Sequence, residues 1–145
     1  MIYTKQSRKN ESGPVALLNL GKRLGMNLSY RQYIKRFRTL CQCVGSKDPI
    51  ANETDFDYAI KKVFGWVGPM TKLVAPQEKD FYTLLENDDF DGAAIRLTTG
   101  DYVVLSQLYN FGDISIVPYG VIDYNTLKSM FCQKGFTIWA IKSML

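Results

Sequence analysis

Residues 5–14 read KQSRKNESGP, and the apolar run GPVALLNLGKRL (13–24) overlaps their end. Gln6 is followed six positions later by a small hydroxyl residue, Ser12, and then by Gly13 and Pro14. Proline suits the first turn of a helix, where its missing N–H would have no partner in any case. The run therefore reads as a helix over 13–24, capped by Ser12 or Glu11, with Pro14 in its first turn and Gly25 ending it. Val15, Leu17, Leu18 and Leu24 supply apolar surface, and Ala16 permits close packing.

Working outward, residues 2–5 read as short and extended. A second helix starts at Ser29, where Ser29 and Gln32 form a capping-box pattern. Tyr30, Ile34, Phe37 and Cys41 recur in it at helical spacing and face a core. Arg31, Lys35 and Arg38, with Arg36 beside them, mark a basic face. A third helix covers 54–64, with Thr54 as cap. The second half changes character: a strand over 67–76, a short helix over 77–87, and strand-like runs at 92–98, 101–109 and 114–117 separated by Gly-Asp and Phe-Gly-Asp turns. Residues 123–133 read as helical. Residues 135–144 alternate Phe136, Ile138 and Ala140 with other positions and read as a closing strand. N-terminal helices followed by a mostly antiparallel sheet give an α+β layout. Without repeats or a linker, 1–145 reads as one domain.

The composition narrows the chemistry. With 145 residues, 46% of them apolar, the chain can build a core and is not of disordered type. No apolar run reaches the roughly 18 residues of a membrane helix, and the N-terminus has no signal-peptide core, so a cytoplasmic protein is expected. The chain contains no histidine. That excludes Ser-His-Asp and Cys-His catalysis, HExxH zinc sites and histidine proton shuttles. Cys41, Cys43 and Cys132 are expected as free, buried thiols; with no histidine to complete a zinc site, neither metal nor cofactor is expected. The acidic turn over 86–91 does not match a calcium loop. Net charge is +4 but uneven: residues 22–38 carry six basic residues and no acid, while 78–91 carry six acids and one lysine. Such polarity bears on partners more than on fold.

Taken together, Gln6, Glu11-Ser12-Gly13-Pro14, Ala16, Asn19 and the run Gly100-Asp101-Tyr102-Val103-Val104 resemble the papain-like cysteine peptidases. The nearest likeness is to the small bacteriocin-leader-processing type and its stand-alone versions in phages and large viruses. The resemblance implies a papain-like fold over nearly the whole chain. It also implies that Ser12 stands at the nucleophile position, Asp101 at the base position and Pro118, in ISIVPYG, nearest the orienting position, while Gln6 matches the oxyanion-stabilising glutamine.

The departures fall on the reacting groups. A cysteine works in such a site because its thiolate forms near neutral pH beside an imidazolium. A serine needs a base of suitable pKa within reach, and an aspartate, ordinarily near pKa 4, is a feeble one. Proline orients nothing. A laboratory knockout would account for Ser12, though not for the missing base and orienter. The expected reading is a pseudopeptidase that acts by protein binding, as a viral structural component or a modulator of a host protein, in a cytoplasm or a virion. Self-association is open. Two rivals stand beside it: a hydrolase with Ser12 as nucleophile, and a nucleic-acid-binding protein using the basic helix over 30–42 through Arg31, Lys35, Arg36 and Arg38. Bland readings also stand: Ser12 as a helix cap, Gly100-Asp101 as a hairpin corner, and the basic helix as a solvated face.

Overall fold

The computed structural model describes residues 3–6, 11–43, 50–86, 90–107, 114–117 and 124–145. Ten of the twelve residues of α1 (Ser12–Arg23) are buried, so α1 is a central helix and not a surface one. A Cβ on Gly13 would lie 3.1 Å from the Ala51 Cβ, which shows how closely neighbouring chain meets its first turn. Residues 3–6 belong to no strand. They are tied to α1 through Asn19, which is fully buried. Its Oδ1 accepts the Thr4 N–H at 2.7 Å and its amide donates to the Thr4 carbonyl at 3.0 Å, the two bonds a strand partner would supply.

Helix α2 (Tyr30–Leu40) starts as its sequence pattern implies: the Ser29 Oγ accepts the Gln32 N–H. Ile34, Phe37 and Cys41 are buried, while Tyr30 is half-buried at the edge. Helix α3 (Glu53–Phe64) is capped by Asn52, not Thr54. The Asn52 side chain accepts the Asp55 N–H at 2.8 Å from an extended backbone, which leaves Thr54 inside the first turn.

The strands are β1 (Met70–Val74), β2 (Gly92–Arg96), β3 (Tyr102–Gln107), β4 (Ile114–Val117) and β5 (Thr137–Ile141). They form one sheet in the order β1-β5-β2-β3-β4, and every pairing is antiparallel. The C-terminal strand thus enters between β1 and β2 instead of closing an edge. Its five residues are all buried, because both of its faces are covered. Ala94, Tyr102, Val104, Trp139 and Ile141 face α1, α2 and α3. Ala93, Ile95, Val103, Leu105, Ile138 and Ala140 face the opposite way. There they meet Phe81 and Leu84 of α4 (Glu78–Glu86), Leu127 of α5 (Tyr124–Lys128), Phe131 and Phe136. The expected α+β layout is present, with a third layer that the sequence reading did not foresee. The helical run expected over 123–133 stops at Lys128 and continues as turns.

Asp57 locks α3 to the sheet. Its Oδ1 accepts the indole N–H of Trp139 at 2.8 Å and lies 3.1 Å from the Lys72 ammonium, while its Oδ2 accepts from Lys61 at 2.8 Å. Burial works against the charge, but the bonds from Lys61, Trp139 and Lys72 outweigh it and hold the carboxyl down at about 2. A depressed carboxylate stabilises the fold above its ordinary pKa and loses that contribution as pH falls through the folded value. Because solvent screens part of these interactions, native protein is expected to lose on the order of 1 kcal/mol between about pH 4 and pH 2 through this group. Denaturant midpoints across that window should show the loss, and Asp57→Asn should be less stable at neutral pH with a flatter acid limb.

Candidate functional site

The start of α1 and the start of β3 meet. The Tyr102 N–H donates to the Ser12 Oγ at 3.0 Å. Covalent geometry then places the Cα atoms of Ser12 and Asp101 within about 8 Å of each other. The two positions aligned by the resemblance are therefore brought together from opposite halves of the chain. Their side chains do different work. Ser12 is only 3% exposed, and its hydroxyl takes a strand N–H that faces the helix. This corrects the reading of Ser12 as a helix cap. Ser12 lies inside α1, and the cap position belongs to Glu11, whose side chain makes no capping bond.

Asp101 is exposed at the hairpin between β2 and β3. Its carboxylate accepts from the Thr99 hydroxyl at 3.1 Å, and the turn is closed by Leu97 N–H to the Asp101 carbonyl and Gly100 N–H to the Leu97 carbonyl. The hairpin-corner reading describes this position. Gln6 is half-buried, two residues beyond the Thr4–Asn19 clasp. Pro118 lies outside the described residues, as do residues 87–89 of the acidic turn. Of that turn, Phe90 is buried and the Asp91 carboxylate accepts the Ser143 N–H.

Beside Ser12, Glu11 is buried and its carboxylate pairs with Arg38 of α2 at 2.5 Å. Arg38 also donates to the Tyr30 hydroxyl at 3.3 Å. This corrects the reading of Arg38 as part of an exposed basic face. Helical spacing does put it beside Arg31, but a buried carboxylate on α1 draws it inward. Arg31, Lys35 and Arg36 are exposed. Asn19, Glu11 and Arg38 are the functional-looking residues whose roles the sequence did not give. Asn19 carried one signal: an amide within an apolar, fully buried helix must find partners.

Neither Cys41 nor Cys43 offers a substitute nucleophile. Burial pushes the Cys41 thiol far above its ordinary range, with Cys43 and Asp55 adding to the effect. Burial, then the Glu11 and Asp55 carboxylates, push Cys43 up to about 11, so its thiolate is scarce at neutral pH. Cys132, expected to be buried, is exposed, because the turn after α5 carries it outward with φ +64. Among the described residues, no group of three acids or thiols is placed to hold a metal ion. Nor is any described helix long and apolar enough to cross a membrane.

A double-glycine-motif protease from an AMS/PCAT transporter, solved in complex with the leader peptide, has a similar fold. The two structures align with a TM-score of 0.59 over 97% of this chain and 91% of that one, at 15% sequence identity. The fold is papain-like. No family model and no curated protein sequence matches the chain. At so low an identity the likeness concerns the path of the backbone, and chemistry has to be argued from the side chains.

Proposed function

We propose that this papain-like domain does not hydrolyse peptides and acts by binding protein. The observation that carries the reading is the Ser12 hydroxyl, buried and hydrogen-bonded by the Tyr102 N–H where the resemblance calls for an activated nucleophile. Nucleophilic catalysis needs a base within hydrogen-bond reach of the attacking atom. The sequence has no histidine, and the Asp101 carboxylate is turned to Thr99 in the exposed hairpin. Groups that act as a unit lose nearly all their effect when they are lost together. Binding does not need those groups. The structural neighbour was solved holding a peptide, which supports a peptide- or protein-binding use of the same framework here.

The surface we assign to a partner is the outer face of α2. Arg31, Lys35 and Arg36 are exposed, and the net charge of the chain is +4. This face suits an acidic protein. It does not offer the interleaved exposed aromatics on which single-stranded nucleic acid stacks, since Phe37 is buried and Tyr30 and Tyr33 are half-buried. Reversing Arg31, Lys35 and Arg36 to glutamate inverts the sign of the net charge without touching the core. The variant should melt close to native protein, because exposed substitutions usually cost within about 0.5 kcal/mol each. Capture of an acidic protein from the cells of origin should fall at least tenfold and lose its salt dependence, by about the 1.4 kcal/mol that a tenfold change represents. Undiminished capture by the folded variant would remove α2 from the account. Capture of nucleic acid alone would favour the nucleic-acid rival.

A further inference from the structure

Arg96 ends β2 and is paired across the sheet with Tyr102 on one side and Thr137 on the other. Tyr102 is the residue whose N–H reaches Ser12, so Arg96 stands one strand away from that contact. Ala94, two residues earlier, faces the α1–α3 layer, and alternation along the strand puts Arg96 on the same face. Arg96 as a residue is half-buried. Its Nη1 donates to the Gly135 carbonyl at 2.9 Å, and its side chain also hydrogen-bonds the Tyr102 phenol oxygen, whose hydroxyl donates to the Ala51 carbonyl. Its Nε is buried and has no partner. Among the described residues, the ion pairs all involve other cations: Arg38, Lys61, Lys72 and Lys128.

Two turns approach this guanidinium as bare backbone. Gly100 and Gly135 have φ of +91 and +94, and a Cβ on Gly135 would come within 2.9 Å of Nη1. A guanidinium taken from water without a counter-charge is costly, and its fork is shaped for the paired oxygens of a carboxylate. Two acids stand on neighbouring elements, and both are engaged. Glu53 accepts from the Thr137 hydroxyl and lies 3.9 Å from Lys72, while Asp101 is held by Thr99. They leave the cation unpaired but temper the local field, which favours a singly charged carboxylate over a phosphate.

We propose that Arg96 is the receptor for a carboxylate of a peptide partner, gripped at the end of the sheet beside the Ser12–Tyr102 contact. The proposal rests on the protein-binding reading and gives it a second, chemically defined point of attachment. The carboxylate could come from an acidic side chain or from a chain terminus.

The test is a titration of isotope-labelled protein, followed by NMR at the Arg96 Nε–H and at the amides of Gly100, Tyr102 and Gly135. The probes are three hexapeptides: one with a free C-terminal carboxylate and no acidic side chain, one capped at both ends with a single glutamate, and one capped and neutral. Inorganic phosphate is the fourth. Saturable shifts of these signals are expected from one or both carboxylate peptides below about 10 mM, and none from the neutral one. The arm that responds identifies the source. Arg96→Gln should weaken the response at least about tenfold. Should Arg96→Gln fail to fold, Arg96→Lys is read instead: it keeps the charge and loses the fork, and the same loss is expected in the folded variant. Silence from both carboxylate peptides, an unchanged response in the folded variant, or an equal response to phosphate would each overturn the proposal. If those occurred while capture through α2 persisted, protein binding would stand and only the Arg96 assignment would fall.

Discussion

Replacing Arg38 by alanine is expected to cost about 3 kcal/mol or more, far above the cost of the same change at Arg31. The two arginines look alike in sequence, seven residues or about two turns apart on the same helix. Their surroundings differ. Arg31 is exposed, whereas Arg38 closes on Glu11 at 2.5 Å with side-chain exposures of 18% and 8%. Glu11 is further committed, because its second oxygen is buried without a partner. Removing Arg38 would leave a carboxylate in the interior with no counter-charge, the costly half of a broken buried pair. Denaturant midpoints of Arg38→Ala, Glu11→Gln and the double variant form the cycle that reads the coupling. A cost for Arg38→Ala no larger than for Arg31→Ala would show that α1 and α2 are not joined this way.

Phe56→Ala is expected to cost about 3–5 kcal/mol and to lower the melting temperature by roughly 10 °C. Phe56 is fully buried where α3 meets the sheet. Its ring stacks on Tyr102 at 4.0 Å between centroids and meets Trp139 edge-on at 5.0 Å. These rings join β3, β5 and α3, so truncation empties the junction on three sides. Tyr58, two residues on, is 58% exposed, and Tyr58→Ala is its control. Comparable losses at both positions would contradict the packing described.

The helices were legible because their signals are local. Ser29 and Gln32 announce α2, and the run after Pro14 announces α1. Strand positions were legible within a few residues for the same reason. The place of β5 was not, because its pairing joins residues 137–141 to 70–74 and 92–96 across long stretches of chain. A clue was present in TIWAI, which has no charged residue and so marks a strand covered on both faces. The site was half legible. Order and spacing brought Ser12 and the start of β3 together, as found. What Ser12 does there was hidden, because its partner is a backbone N–H ninety residues away. The Glu11–Arg38 pair was hidden in the same way, and Arg38 consequently read as one more surface charge.

The central claim is that the frame of a peptidase is kept while Ser12 serves structure. Incubation of folded protein with a fluorophosphonate probe, followed by mass spectrometry of the peptide containing Ser12, tests it most directly. The account predicts no adduct at Ser12 and no hydrolysis of peptide or ester substrates. It also predicts that Ser12→Ala destabilises the fold by about 1–3 kcal/mol by leaving the Tyr102 N–H without its acceptor. An adduct on Ser12 of the native protein, absent in folded Ser12→Ala, would show an activated hydroxyl and contradict it.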